Sequence, residues 1–70
     1  MTQDQKQALT MLRSTFRKIA SSADDHLYWR YVSNIDSMME TGKCEFAETA
    51  EELIDDCADE LVSFAERSQA

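Results

Sequence analysis

Seventy residues with no proline, one glycine and a formal net charge of −7 make one small domain, near the lower size limit for a self-sufficient core. Fourteen carboxylates against seven cations argue against direct nucleic-acid binding, and no apolar run approaches the ~18 residues of a membrane span. Cys44 and Cys57 have neither the framework spacing of a secreted scaffold nor that of a zinc site, which fits a reducing compartment and no metal.

The first segment, Met1 to Gln7, is polar and lacks the apolar stretch of a signal peptide, so a cytoplasmic protein is expected. Thr2 and Gln5 have the spacing of a capping box. Leu9, Leu12, Phe16 and Ile19 then follow the spacing of a buried helical stripe, predicting a helix over 3–20. Lys6, Arg13, Arg17 and Lys18 give it a small basic patch.

A second broad apolar face is formed by Leu27, Tyr28, Tyr31, Val32, Ile35, Met38 and Met39. Its centre lies about 130° around the helical wheel from that of the first stripe, so one continuous helix cannot bury both. The break is expected within Ser21–Asp25, with Ser22 or Asp24 capping a second helix over 23–41. His26 has no further ligand at helical spacing and is read as a surface or cap residue. Trp29 projects about 120° from the centre of the face, beside Ser33, Asp36 and Glu40. A tryptophan bordered by polar groups is a typical interface anchor. Gly42, after Thr41, is read as the left-handed residue that ends the helix.

The third helix is expected over 45–68, beginning near Cys44, or at Thr49 if Thr49 and Glu52 form a capping box. Ala50, Ile54, Cys57, Leu61 and Phe64 mark its buried stripe. Glu48, Glu52, Asp55, Asp59 and Glu66 fall on the opposite side, and Asp56 adds to the anionic load. Residues 1–43 hold six cations and five carboxylates, a net of +1; residues 44–70 hold one cation and nine carboxylates, a net of −8. Short connections between consecutive helices predict an all-α, antiparallel three-helix bundle, alone or within a dimer.

No glycine-rich phosphate loop, metalloprotease helix or serine–histidine–acid constellation is present in the sequence, so neither an enzyme nor a cofactor is expected. Carboxylates at Glu48, Glu52, Asp55 and Asp59 would rise about 4.5–6 Å apart along a helix axis. That approaches the ~3.4 Å axial rise per phosphate of a nucleic-acid strand, lengthened by its winding. Such a row suits a cationic groove built for a phosphate backbone, where lysine and arginine would hold it by charge-assisted hydrogen bonds. In size, acidity and helical character the chain resembles phage-encoded anti-CRISPR and anti-restriction proteins; no motif carries the likeness. What the resemblance implies is an inhibitor whose protein partner has a basic surface. The bland alternative is an acidic, solvated helix that keeps the protein soluble. A further alternative is an adaptor or homodimer that meets its partner through an apolar face around Trp29, Met38 and Met39. The predicted binding residues are Glu48, Glu52, Asp55, Asp56 and Asp59 on the third helix, with Trp29, Asp36 and Glu40 on the second.

Overall fold

The computed structural model describes residues 1–69, in which the chain forms three α-helices: α1 (Gln3–Ala23), α2 (His26–Thr41) and α3 (Ala50–Gln69). The described residues contain no strand. The helices make a compact bundle with principal extents of 36 × 18 × 18 Å. None of them is long and apolar enough to cross a membrane.

The caps explain where each helix starts and stops. Thr2 Oγ1 accepts the Gln5 N–H at 3.1 Å while Gln5 Oε1 accepts the Thr2 N–H at 3.0 Å, the reciprocal bonds of a capping box. The break after α1 falls inside the expected window, but with other roles. α1 runs on through Ser21 and Ser22 to Ala23 instead of ending at residue 20, and α2 starts at His26 instead of residue 23. Asp24 takes the left-handed conformation, at φ 51°, that ends α1. Asp25, not Ser22 or Asp24, caps α2, its Oδ1 accepting the Leu27 N–H at 2.9 Å. Aspartate suits both jobs, because its short acceptor tolerates the left-handed region and also satisfies a free helix donor.

Gly42 ends α2 at φ 80°, its N–H donating to the Met38 carbonyl at 2.9 Å. α3 does not begin at residue 45. A seven-residue connection over 43–49 comes first and folds back on α2. There Ser37 and Thr41 hydroxyls donate to the Lys43 carbonyl, and the Phe46 N–H donates to Asn34 Oδ1 at 3.1 Å. Asn34 is buried, and its amide also donates to the Arg30 carbonyl at 2.8 Å, so a polar side chain in the core is satisfied at both ends. α3 follows once Thr49 Oγ1 accepts the Glu52 N–H at 3.2 Å. The second half of that box is displaced: the Glu52 carboxylate accepts from Glu48 N–H, at 3.3 Å, one residue before Thr49.

Leu9, Phe16 and Ala20 of α1 meet Tyr28, Tyr31, Val32, Ile35 and Met38 of α2 in the core, with Leu53 and Cys57 of α3 and Ala47 of the connection. Phe16 stacks on Tyr28 and Tyr31 with ring centroids 5.6 and 4.8 Å apart. Phe64 meets Tyr28 edge-on at 5.7 Å and Phe46 meets Tyr31 likewise at 4.9 Å. Such pairs are worth about 0.5–1.5 kcal/mol each beyond their buried area, a sizeable share of a small domain's stability. Leu27 and Met39, expected inside, lie at the two margins of their face and are each 39% exposed. Leu53 is fully buried while Ala50, Ile54, Leu61 and Phe64 are only partly so, which moves the centre of the α3 stripe toward Leu53 and Cys57.

Candidate functional site

Moving the buried stripe of α3 re-sorts its carboxylates. Leu53 and Cys57 face inward, so Asp56 and Glu60, each one turn-step from that line, lie at the seam with α2. Glu60 Oε1 accepts the Tyr28 hydroxyl at 2.8 Å and Arg67 Nη2 at 3.1 Å, while Arg67 Nη2 also donates to Tyr28 Oη at 2.7 Å. Asp56 is half-buried beside Tyr31. Burial foremost, then the negative charge of Asp56 and Glu60, pushes the Tyr31 phenol up to about 12. Tyr28 is raised by burial and by Glu60. Both phenols therefore stay neutral over the physiological range, and Tyr28 remains a donor to Glu60.

What remains outward on α3 is a face of Glu51, Glu52, Asp55, Asp59 and Glu66, all exposed and, among the described residues, in no ion pair. Glu52 is partly committed to the helix start through its bond to Glu48. Glu48 is exposed but precedes the helix, so it does not continue the row at helical spacing. Asp55 and Asp59 are one turn apart, about 6 Å along the axis, and form the uncommitted centre. Val62, 57% exposed, stands in line with Asp55 and beside Asp59 and Glu66.

The α2 group is divided in the same way. Trp29 is 40% exposed and Glu40 is exposed. Asp36, between them on that face, accepts Arg13 Nε at 2.6 Å and Nη2 at 3.3 Å. The carboxylate beside it raises the Arg13 guanidinium, first by the hydrogen bond and then by charge. This two-point pair ties α1 to α2 and leaves Asp36 little capacity for a partner. Arg30 lies over the Phe46 ring, 5.2 Å from its centroid, and reaches Glu45 at 3.8 Å. Of the predicted binding residues, Asp55, Asp59 and Glu52 share one surface; Trp29 and Glu40 occupy another; Asp36 and Asp56 face neighbouring helices.

Cys57 is buried within the core, which pushes its thiol up to about 12 and keeps it an inert apolar filler. Cys44 is half-buried in the 43–49 connection, its thiol directed at the Ala47 carbonyl.

Two features escaped sequence reasoning. The Glu60–Tyr28–Arg67 cluster joins residues far apart in the chain, with no local signal beyond an arginine seven residues after a glutamate. Val62 and the 71%-exposed Met11 interrupt polar faces, and that signal is readable once the helix phases are known. Comparison with protein-family models, curated proteins and solved structures finds no match to this chain.

Proposed function

We propose that this protein is a non-enzymatic, acidic helical binding protein that inhibits or modulates a partner protein by laying the outward face of α3 on a cationic surface. The observation that carries this is the free state of Asp55, Asp59, Glu51 and Glu66: exposed, on one helix face, and in none of the ion pairs of the described residues. A rigid row of carboxylates costs little to pre-organise and gains most where lysines and arginines converge. Grooves that hold a nucleic-acid backbone are such places, so the protein acts as a phosphate mimic, in the manner of phage-type anti-defence proteins such as anti-CRISPR or anti-restriction inhibitors. It acts in the cytoplasm, where such targets work. The rest of the chain is the scaffold. Its helices are antiparallel neighbours: from Arg13 to Phe16 on α1 the partners on α2 step back from Asp36 to Tyr31 and Tyr28.

The test is capture of a partner at low ionic strength, followed by salt and nucleic-acid challenge. Binding through the acidic face weakens steeply with salt, because long-range charge attraction is screened within about 8 Å at physiological ionic strength. It is also displaced by DNA or RNA. Retention of the partner under both challenges would refute the mimic mechanism.

The exposed Trp29 favours one alternative, an adaptor that binds through an apolar anchor on α2. Met38 has no part in it, being fully buried. Binding of that kind survives high salt and is lost in Trp29→Ala.

A further inference from the structure

The two most exposed large apolar side chains among the described residues, Met11 and Val62, lie on the outer faces of α1 and α3, and those two faces complement each other. On α1 the exposed line through Met11 is Gln7, Met11, Ser14, Thr15, Lys18 and Ser22. On α3 the line through Val62 is Glu51, Asp55, Ala58, Asp59, Val62 and Glu66. Each line follows one helix side at heptad-like spacing.

Laid antiparallel with Met11 against Val62, every position finds a partner suited to it. Lys18 falls opposite Asp55. Ser14 meets Asp59, Ser22 meets Glu51 and Gln7 meets Glu66, so each carboxylate faces a cation or a hydrogen-bond donor, while Thr15 covers Ala58. The parallel arrangement with the same apolar contact sets Asp4 against Asp55 and Ala8 against Asp59, leaves only the Thr15 hydroxyl for Glu66, and is disfavoured by like charge. Arg17, exposed and in none of the ion pairs of the described residues, lines the same shallow groove as Lys18, Ser14, Ser21 and Ser22 and adds a second cation beside Asp55.

Two α3 helices cannot cover each other, because their acids would meet. α1 of another copy can. With α1 and α3 running the same way, as in the up-down-up order proposed above, a two-fold axis across them lays each against the other's copy in reverse. The contact then occurs twice and closes. A stable dimer needs about 800 Å² from each protomer, roughly a sixth of the 4778 Å² this chain exposes, and two helix-length seams are of that order.

We infer that the occupant of this surface is a second copy of the chain: a two-fold dimer in which α1 of each protomer covers the acidic face of α3 of the other, with Met11 on Val62 and Lys18 on Asp55. The inference goes beyond the proposed function and does not depend on it, since it concerns the chain alone. It also makes dimer and partner competitors for Asp55 and Asp59. A surface richer in cations than one lysine and one arginine per seam would displace the second copy.

Sedimentation equilibrium of the purified chain at physiological salt, from low-micromolar to submillimolar concentration, tests it. The wild type sediments with the mass of two chains at the upper end. Lys18→Glu and Asp55→Lys each weaken association about tenfold or more, since every substitution is felt twice in a two-fold interface. The combined Lys18→Glu/Asp55→Lys exchange restores it. Val62→Asn weakens it with helix content unchanged by circular dichroism, which separates loss of contact from loss of fold. A single-chain mass for the wild type at the highest concentration overturns the inference. So does an exchange variant as weak as its parents, or a dimer broken by Trp29→Ala but untouched by Lys18→Glu.

Discussion

Tyr28 and Glu60, thirty-two residues apart, are joined by a 2.8 Å hydrogen bond from the phenol to the carboxylate. That single contact removes one acid from the surface of α3 and fastens the helix to the start of α2, with Arg67 bridging both groups from the last turns of α3. Structural and exposed carboxylates are thereby separated along one helix: Asp56 and Glu60 on the inner seam, Asp55 and Asp59 outside.

Tyr28→Phe keeps the ring against Phe16 and Phe64 and deletes only the hydroxyl. Glu60 retains Arg67, but the hydroxyl both donates to Glu60 and accepts from Arg67, so two hydrogen bonds to charged groups are lost, on the order of 1.5–3 kcal/mol. Urea unfolding followed by helix signal measures it. A loss below a few tenths of a kcal/mol would mean that the contact does not fasten α3.

Alkaline stability follows from the buried donors. Tyr31 is raised from 10.0 to about 12 and Cys57 from 9.0 to about 12 in the folded chain. The folded state thus holds protons that the unfolded chain releases sooner, and their stabilisation is complete below pH 9 and lost as pH rises from 9 to about 12. Unfolding midpoints measured at pH 8, 10 and 12, conditions set by those values, should fall across that window. Tyr31→Phe, which has no phenol to ionise, should flatten the fall. An equally steep fall in that variant would count against burial of the phenol as its cause.

Leu53→Ala should cost about 2–5 kcal/mol, the range for emptying a fully buried aliphatic site. Ile54→Ala should cost less, since Ile54 is only partly covered. Thermal melts of the two variants decide the phase of α3. The reverse ranking would return the stripe to the line through Ile54 and turn Glu60 away from the seam with α2.

At the first helix junction, Asp25→Ala removes the cap on Leu27 N–H and should cost about 1 kcal/mol. Asp24→Val, forced to hold a β-branched residue at φ 51°, should cost about 1–2 kcal/mol. Asp24→Gly should cost nothing or stabilise slightly. Chemical denaturation of the three variants distinguishes the capping residue from the left-handed one.

Local chemistry made most of the fold legible in the sequence. Thr2 with Gln5, Gly42 after Thr41 and the 3–4 spacing of Leu9, Leu12, Phe16 and Ile19 act within a turn or two, and these features stand as expected. The start of α3 was less legible, because Asn34 captures Phe46 N–H across twelve residues and holds 43–49 out of the helix. The row at Glu48, Glu52, Asp55 and Asp59 was only partly visible for the same reason, Glu48 standing before the helix. Asp36 and Glu60 look like free surface acids in one dimension. Arg13 and Tyr28 claim them only when α1 and α3 come against α2, and no periodicity within one helix encodes that.

Charge reversal on the outer face of α3, compared with a control on the exposed face of α2, tests the central claim most directly. A captured partner is titrated against the wild type, Asp55→Lys/Asp59→Lys and Trp29→Ala, each matched for helix content. Binding should be abolished by the α3 pair and keep its affinity in Trp29→Ala. Undiminished affinity in Asp55→Lys/Asp59→Lys would contradict the account.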